Sequence, residues 1–416
     1  MKARQIITYA LSQTNQKFGR ILVVTGARQT GKTTLVMNGF SKYRYISIED
    51  PIARMEYAKL TSTQWKTLYP KAALDEVQKE PSLIESIKSV YDQWPDTKYI
   101  LLGSSQLLLM KQVKESLAGR CVIMELFPLT LPELKTQDWL DTVESSLFQK
   151  VMTDVSVVND FLPSAILDPE YAAKQKSWTH YLTFGAYPAL TEELLTDDEK
   201  FVWLRNYVRT YLERDVRDLA SFRDLEPFVK LQRAMAIRTG KLFNASDVGK
   251  DIGVTTKTVQ RYVQYLSMSY QTIILPAWDR NMNKRLVKSP KIHYLDNGVL
   301  QAVLQKKGGI TGHEYESLVI AEIYKQAKNS MLDARFFHLR TADGKEVDLL
   351  IELPQGYLAF EIKMTEHVSK TDARHLLDLN NLLDKPLIKG FVLSNDTTTQ
   401  QLSDSVVAVN TAMFLG

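Results

Sequence analysis

A chain of 416 residues is too long for one ordinary domain, so about two to four are expected. Its 44% hydrophobic and 24% charged residues exclude a disordered or fibrous chain. A net charge of +4 neither demands nor forbids nucleic acid, which leaves that question to local patches. The lone cysteine, Cys121, rules out an internal disulfide and fits a cytoplasmic protein. The amphipathic start, MKARQIITYALSQTNQKFGR, lacks the apolar core and cleavage site of a signal peptide. The longest apolar runs, such as YILLGSSQLLLM, are broken by Gly and Ser, so no membrane span is expected.

The first third alternates strand and helix patterns, which argues for a parallel sheet flanked by helices. Strands are expected at Ile21–Thr25, Tyr43–Ile48, Lys71–Leu74 and Tyr99–Leu102, with helices at Lys32–Phe40 and Leu83–Trp94. Between the first strand and the first helix lies Gly26-x-x-x-x-Gly31-Lys32-Thr33, a complete P-loop. Glycines let the backbone wrap phosphates with its N–H groups, and the helix that follows presents its positive end. The ATP-binding residues are thus Gly26, Ala27, Arg28, Gln29, Thr30, Gly31, Lys32, Thr33 and Thr34. Lys32 is placed to reach the β- and γ-phosphates, and the Thr33 hydroxyl to ligate Mg²⁺.

The next requirement is a pair of carboxylates, and KAALDEVQK supplies it. Asp75 ends a short apolar run, the position that organises Mg²⁺, and Glu76 is the candidate base for water attack on the γ-phosphate. The competing reading has both residues capping the helix near Pro81. Ser104 or Ser105 could sense the γ-phosphate at the end of the fourth strand, and a plain strand-ending turn explains them equally well. Arg120, after Leu117-Ala118-Gly119, could stabilise the transferred phosphate, in cis or from a neighbouring subunit of a homo-oligomer. A salt-bridged surface arginine after a helix cap fits it equally.

From Phe127 the pattern changes. FPLTLPEL, with two prolines, reads as a connection, and Lys135–Lys200 is helical by composition. Phe201–Arg223 is a charged helix whose Glu213, Arg214 and Asp215 most simply form a salt-bridged face. Asn244 to Tyr262 reads as a helix-turn-helix: one helix ends near Gly253, Thr255 or Thr256 caps the next, and Val259, Tyr262, Val263 and Leu266 give it an apolar face. Lys257, Gln260, Arg261 and Gln264 face outward, where they could contact DNA. The basic run Arg280–Lys291, with Lys284, Arg285 and Lys288, could serve as a wing on the phosphate backbone. A packing module with a solvated charged face is the other reading.

The last hundred residues return to strands: RFFHL, EVDLLIEL, YLAFEIKM and IKGFVL. Two of them present Asp348 and the Glu361/Lys363 pair, and alternation puts Glu361 and Lys363 on one face. An Asp and a Glu together can ligate Mg²⁺, a neighbouring lysine can orient water, and Glu316, on the preceding helix with Glu322, could complete the metal site. Plain salt bridges are the alternative.

GARQTGKTTL, LDEVQK, LLGSS, LAGR and LFPLTLPEL occur in order, followed by FGAYPAL, YLERDVRDLA, SPKIHYLDNGVL, EVDLLIE and FEIK. This ordered set resembles prokaryotic AAA-type P-loop ATPases that carry a C-terminal domain of unknown function. It departs from them at Gly185-Ala186-Tyr187-Pro188-Ala189, where that family usually has two glycines and an acidic residue. The Asp…Glu-x-Lys set, in turn, resembles the restriction-endonuclease-like superfamily. What these resemblances imply is an α/β protein in four parts: a P-loop ATPase core over 1–135, a helical lid or connector over 136–225, a winged-helix segment over 226–300 and a restriction-endonuclease-like domain over 301–416. The function they imply is an ATPase using ATP and Mg²⁺, acting at DNA, with a Mg²⁺-dependent nuclease domain. The rival is an ATP-gated regulatory protein with a protein partner and a nuclease-like domain that does not cut. A small-molecule kinase is disfavoured, because Asp75-Glu76 suits water attack and no acceptor pocket is evident.

Overall fold

The computed structural model describes residues 1–16, 18–103, 113, 115–157, 164–212 and 224–416. Ser104, Ser105, Glu213, Arg214 and Asp215 lie outside them. The N-terminal sheet is built from β1 (Ile21–Thr25), β2 (Arg44–Ser47), β3 (Lys71–Asp75), β4 (Lys98–Leu102) and β5 (Cys121–Glu125). All neighbours are parallel, in the order β2-β3-β4-β1-β5. The sequence of β1, ILVVT, is buried on both faces, as a central parallel strand requires. β5 was not expected. At the sheet edge it keeps Ile123 exposed and only Met124 fully buried, so CVIME carries no clear strand period.

FPLTLPEL is more than a connection: it contains the short helix Leu131–Lys135, with Pro132 in the first turn and a Thr130/Glu133 capping box. Leu129, Leu131 and Leu134 are buried in the core of the C-terminal domain, with Phe148, Val151, Trp178 and Tyr181. Farther along, Phe184, Tyr187, Leu190, Leu204 and Tyr207 join a different core, that of the helices after residue 225. The residues expected as a lid or connector over 136–225 thus pack on both sides. Their described part divides between two cores, because the apolar faces of its helices are complementary to those cores.

The helices Glu226–Ile237, Ala245–Ile252 and Thr256–Met268 pack together and lead into the antiparallel pair β6 (Thr272–Leu275) and β7 (Lys291–Tyr294). Asn244 caps the second helix and Thr255 the third. Gly253, at φ 73, makes the left-handed turn between them. The basic run between β6 and β7 forms a helix, Met282–Val287. The C-terminal sheet comprises β8 (Arg335–Arg340), β9 (Glu346–Leu353), β10 (Gly356–Ile362), β11 (Leu387–Ser394), β12 (Gln400–Ser403) and β13 (Val406–Asn410). β8, β9 and β10 form an antiparallel meander, β11 runs parallel to β10, and the sheet order is β12-β13-β11-β10-β9-β8. The long helix Gly312–Asn329 packs against this sheet and against β7. No helix among the described residues is long and apolar enough to cross a membrane.

One buried ion pair pins the connector to that long helix. Lys325 Nζ lies 2.8 Å from Glu322 Oε2, and both side chains are fully buried. Glu322 accepts from the Leu131 amide at 2.7 Å, while Lys325 donates to the Leu129 carbonyl at 2.8 Å. Glu322→Ala leaves a buried ammonium without its counter-charge and is expected to cost about 3–5 kcal/mol. A denaturant titration would read this as a lower midpoint at unchanged slope.

Candidate functional site

The P-loop emerges from β1 and turns directly into the helix Lys32–Gly39. Gly26 (φ 150) leaves no room for a side chain, since an added Cβ would lie 2.2 Å from the Leu126 carbonyl oxygen. Gly31 (φ 91) supplies the left-handed turn before the helix. Lys32 Nζ donates to the carbonyls of Gly26 (3.0 Å) and Ala27 (2.8 Å), and Thr30 Oγ1 to that of Ala27 (2.9 Å). Thr33 Oγ1 donates to Asp75 Oδ2 at 2.6 Å, and Tyr45 donates to the same oxygen at 2.8 Å. The Glu76 amide donates to Asp75 Oδ1 at 2.9 Å, with Glu76 itself left-handed at φ 57. Gln29 is also left-handed, at φ 62. For side chains other than glycine this backbone is strained, and such strain concentrates at functional sites. Arg28, Gln29, Gly31, Lys32, Thr33, Thr34, Asp75 and Glu76 line an open cleft of about 270 Å³. The Thr33–Asp75 contact brings together a hydroxyl and a carboxylate of the kind that share Mg²⁺ with nucleotide phosphates, so the donor set fits that ion.

The loop is held from behind by residues that gave no signal in the sequence. Arg4 donates to the carbonyls of Thr30 (3.2 Å) and Phe127 (2.6 Å) and pairs with Glu133. The Tyr207 hydroxyl lies 3.1 Å from the Arg28 carbonyl, to which it donates, and 3.1 Å from the Tyr187 hydroxyl. Tyr187 belongs to the unusual Gly185–Ala189 loop, whose Ala186 amide donates to Asp296. The Tyr270 hydroxyl lies 3.1 Å from Glu125 Oε1 and 3.4 Å from Thr25 Oγ1, at the ends of β5 and β1. Arg120 stands outside the cleft, and Asp92 engages it through two contacts of 2.7 and 3.1 Å. Its geometry is that of the salt-bridged surface arginine.

On the helix Thr256–Met268, Lys257, Gln260 and Arg261 are exposed, whereas Val259, Tyr262, Val263 and Leu266 are buried. The basic run behaves differently from a wing. Lys284 is exposed, but Lys288 Nζ lies 2.7 Å from Asp279. Arg285 is turned inward, 3.3 Å from both Glu352 and Asp384, with its guanidinium 5.2 Å from the ring centres of Trp278 and Phe337. Arg285, expected as a DNA contact, is surrounded by two carboxylates and two aromatic rings and anchors the basic helix on the C-terminal domain.

The expected nuclease cluster is assembled around an ammonium group. Lys291, first residue of β7 and 2% exposed, places Nζ 2.9 Å from Glu316, 2.8 Å from Glu346 and 3.9 Å from Asp348. Lys363 Nζ sits 2.8 Å from Glu361 and 4.0 Å from Asp348. Burial pulls Lys291 down, but Glu316 and Asp348 outweigh it and its pKa rises. Burial, with Glu316 and Glu361 nearby, pushes Asp348 well above the carboxylate range against the pull of both lysines. Beside them, His293 is fully buried and held neutral by burial, its pKa lowered to about 3. Among the described residues no three His, Cys, Asp or Glu side chains are arranged to hold a metal ion. The expected Mg²⁺ site of Glu316, Asp348 and Glu361 is corrected accordingly: Lys291 and Lys363 take up the oxygens a metal would need. Nothing in the sequence marked Lys291 here, since lysines also open β3 and β4 without being buried.

Residues 19–135 match the family model described as an AAA domain. With the P-loop geometry, this makes the N-terminal region an AAA-type P-loop ATPase module. Residues 175–308 and 311–414 match two domains of unknown function, DUF8612 and DUF4143. The chain is 25% identical over 402 residues to an uncharacterized protein of Mycobacterium tuberculosis, covering 94% of this chain and 79% of that one. It is 22% identical over 399 residues to an uncharacterized protein of Haemophilus influenzae, covering 89% of each. Among solved structures it is similar to a Walker-type ATPase of Pyrococcus abyssi, with TM-score 0.47 and 14% identity over 73% of this chain and 96% of that one. It is also similar to the Aeropyrum pernix ORC2 protein, with TM-score 0.33 and 13% identity over 72% and 91%.

Arg285→Ala removes charge-assisted contacts between the basic helix and the C-terminal domain, which are worth on the order of 2 kcal/mol. The expected result is a lower unfolding midpoint, with duplex DNA affinity unchanged at fixed salt. A loss of DNA affinity without loss of stability would restore the wing.

Proposed function

We propose that this chain is an ATP-hydrolysing switch that acts at DNA. In this reading the nucleotide state of the P-loop sets the position of a winged-helix module and of a restriction-endonuclease-like domain. The observation that carries it is the pair of tyrosine hydroxyls at the back of the nucleotide site: Tyr207 on the Arg28 carbonyl, and Tyr270 on Glu125 and Thr25. Through them the segments that follow the ATPase core touch the loop expected to carry the phosphates, at Arg28, and the strand ends beside it, at Thr25 and Glu125.

Bound Mg²⁺ would supply charge neutralisation at the phosphates, with Thr33 and Asp75 as its protein partners. Lys32 neutralises charge on the β- and γ-phosphates, for which the carbonyls of Gly26 and Ala27 compete. Glu76, next to Asp75 and lining the cleft, takes a proton from the attacking water. The winged-helix reading is supported by three helices followed by a β-hairpin, with Lys257, Gln260 and Arg261 outward on the third helix. The restriction-endonuclease-like reading is supported by the meander β8–β9–β10, with β11 added in parallel, Asp348 on β9 near Glu361 on β10, and Lys363 just past the end of β10. Lysine occupation of the acidic cluster favours a domain that does not cut in this arrangement, which brings in the regulatory form of the switch.

Lys32→Ala is expected to abolish ATP turnover. Glu76→Gln should retain ATP binding and lose about 10²–10⁴-fold in kcat, the usual share of a general base. The assay follows phosphate release with Mg²⁺, alone and with single-stranded, duplex or branched DNA, monitoring strand integrity in the same tube. Unchanged turnover by Lys32→Ala sinks the ATPase reading. Turnover indifferent to every DNA sinks the DNA part and points to a protein partner.

A further inference from the structure

The acidic cluster of the C-terminal domain does not fit a divalent metal as it stands, and that misfit has a specific cause. We propose that Lys291 is a built-in counter-cation that closes this cluster to divalent metal. The inference rests on the nuclease-like reading of the C-terminal domain given above.

Lys291 does not belong to the sheet whose carboxylates it neutralises. It sits on β7, in the two-stranded sheet that follows the three helices, while Glu346 and Asp348 lie on β9, Glu361 on β10 and Glu316 on the long helix before them. Its ammonium bridges two of these carboxylates at 2.8 and 2.9 Å and stands 3.9 Å from a third. A divalent ion needs the same oxygens at about 2.0–2.6 Å, so lysine and metal cannot hold them together. The cluster has capacity left over. Glu361 Oε1 is buried and accepts no hydrogen bond, with the nearest basic group, His375 Nδ1, at 3.5 Å. Four carboxyl groups thus face two lysines, and a dication would meet that excess better than a monocation. Two further basic side chains face the cluster: His313 stands 3.6 Å from Glu316 Oε2, and Lys363 holds Glu361.

Lys291 reaches the cluster from a neighbouring module, and the chain between β6 and β7 is bonded to β8, with the Trp278 amide on the His338 carbonyl at 2.7 Å and the His338 amide on the Pro276 carbonyl at 3.0 Å. β7 is fixed by backbone contacts to its own module, with the Gly240 amide bonded to Ile292 and the Tyr294 amide to Thr239 Oγ1. The Tyr294 amide also donates to Ser317 Oγ on the long helix, at 3.1 Å, and Lys291 Nζ to Glu316 there, at 2.9 Å.

The test measures Mn²⁺ binding to the full-length, nucleotide-free protein by calorimetry, together with the thermal midpoint with and without Mn²⁺. The proteins are wild type, Lys291→Met, Asp348→Asn and the Lys291→Met/Asp348→Asn double variant. Lys291→Met is expected to gain one Mn²⁺ site and a midpoint raised by Mn²⁺, both lost in the double variant. Wild type is expected to match Asp348→Asn. If Lys291→Met does not fold alone, refolding in Mn²⁺ decides: recovery supports the proposal and failure overturns it. An Asp348-dependent site in wild type removes the lysine's role and leaves the nuclease-like reading intact. A folded Lys291→Met that takes no Mn²⁺ overturns both.

Discussion

The arrangement of the domains depends on a buried contact behind the P-loop. Ala27, Phe127, Tyr270, Ile273, Leu295 and Ala321 form one buried cluster drawn from the P-loop, the exit of β5, the hairpin region and the long helix. Phe127 meets Tyr270 edge-on at 5.8 Å and Tyr324 at 5.9 Å. Such pairs add about 0.5–1.5 kcal/mol each beyond the area they bury. Tyr270 is left-handed at φ 59, a costly backbone for a bulky residue, so packing and its hydroxyl contacts must over-determine its place. Close-packed clusters of this kind repack between discrete arrangements and do not deform smoothly.

Ala27 belongs to both halves of the argument. Its carbonyl accepts from Lys32 and Thr30 on the phosphate side, while its side chain is buried in the aromatic cluster. A phosphate that competes for the Lys32 ammonium therefore acts on the residue that touches the cluster. A ligand can bias such a contact only by as much as it prefers one arrangement over the other. Arg4 and Tyr207 limit the arrangements open to the loop by holding the Thr30 and Arg28 carbonyls from behind.

The nucleotide site was readable because its signals are local. A β-branched run, two glycines at fixed spacing and a carboxylate pair at the end of a strand each fall within a few residues of sequence. The strands of the C-terminal meander were readable for the same reason, as were the capped helices around Gly253. What escaped was long-range. Nothing near Tyr207 or Tyr270 marks a partner more than a hundred residues away. Phe148 and Trp178 carry an ordinary apolar pattern that fits a lid as well as the C-terminal core they join. Arg285 and Lys291 look like members of one basic surface run. Only the fold reveals that carboxylates from distant strands and helices surround each of them.

The hairpin places the two key contacts side by side. Ile273, in the aromatic cluster, pairs with His293, and Lys291 lies two residues along the same strand, about 7 Å away. A two-stranded hairpin of four residue pairs has little stability of its own, so the surfaces it packs against set its position. One surface is the aromatic cluster at the P-loop and the other is the acidic cluster. Withdrawing Lys291 partway strands a buried ammonium and its carboxylates apart, at several kcal/mol per uncompensated ion. The seated lysine is therefore the arrangement that leaves none of these ions uncompensated. Because Ile273 and Lys291 share one pair of hydrogen-bonded strands, the same element holds the aromatic cluster and the acidic cluster at a fixed spacing.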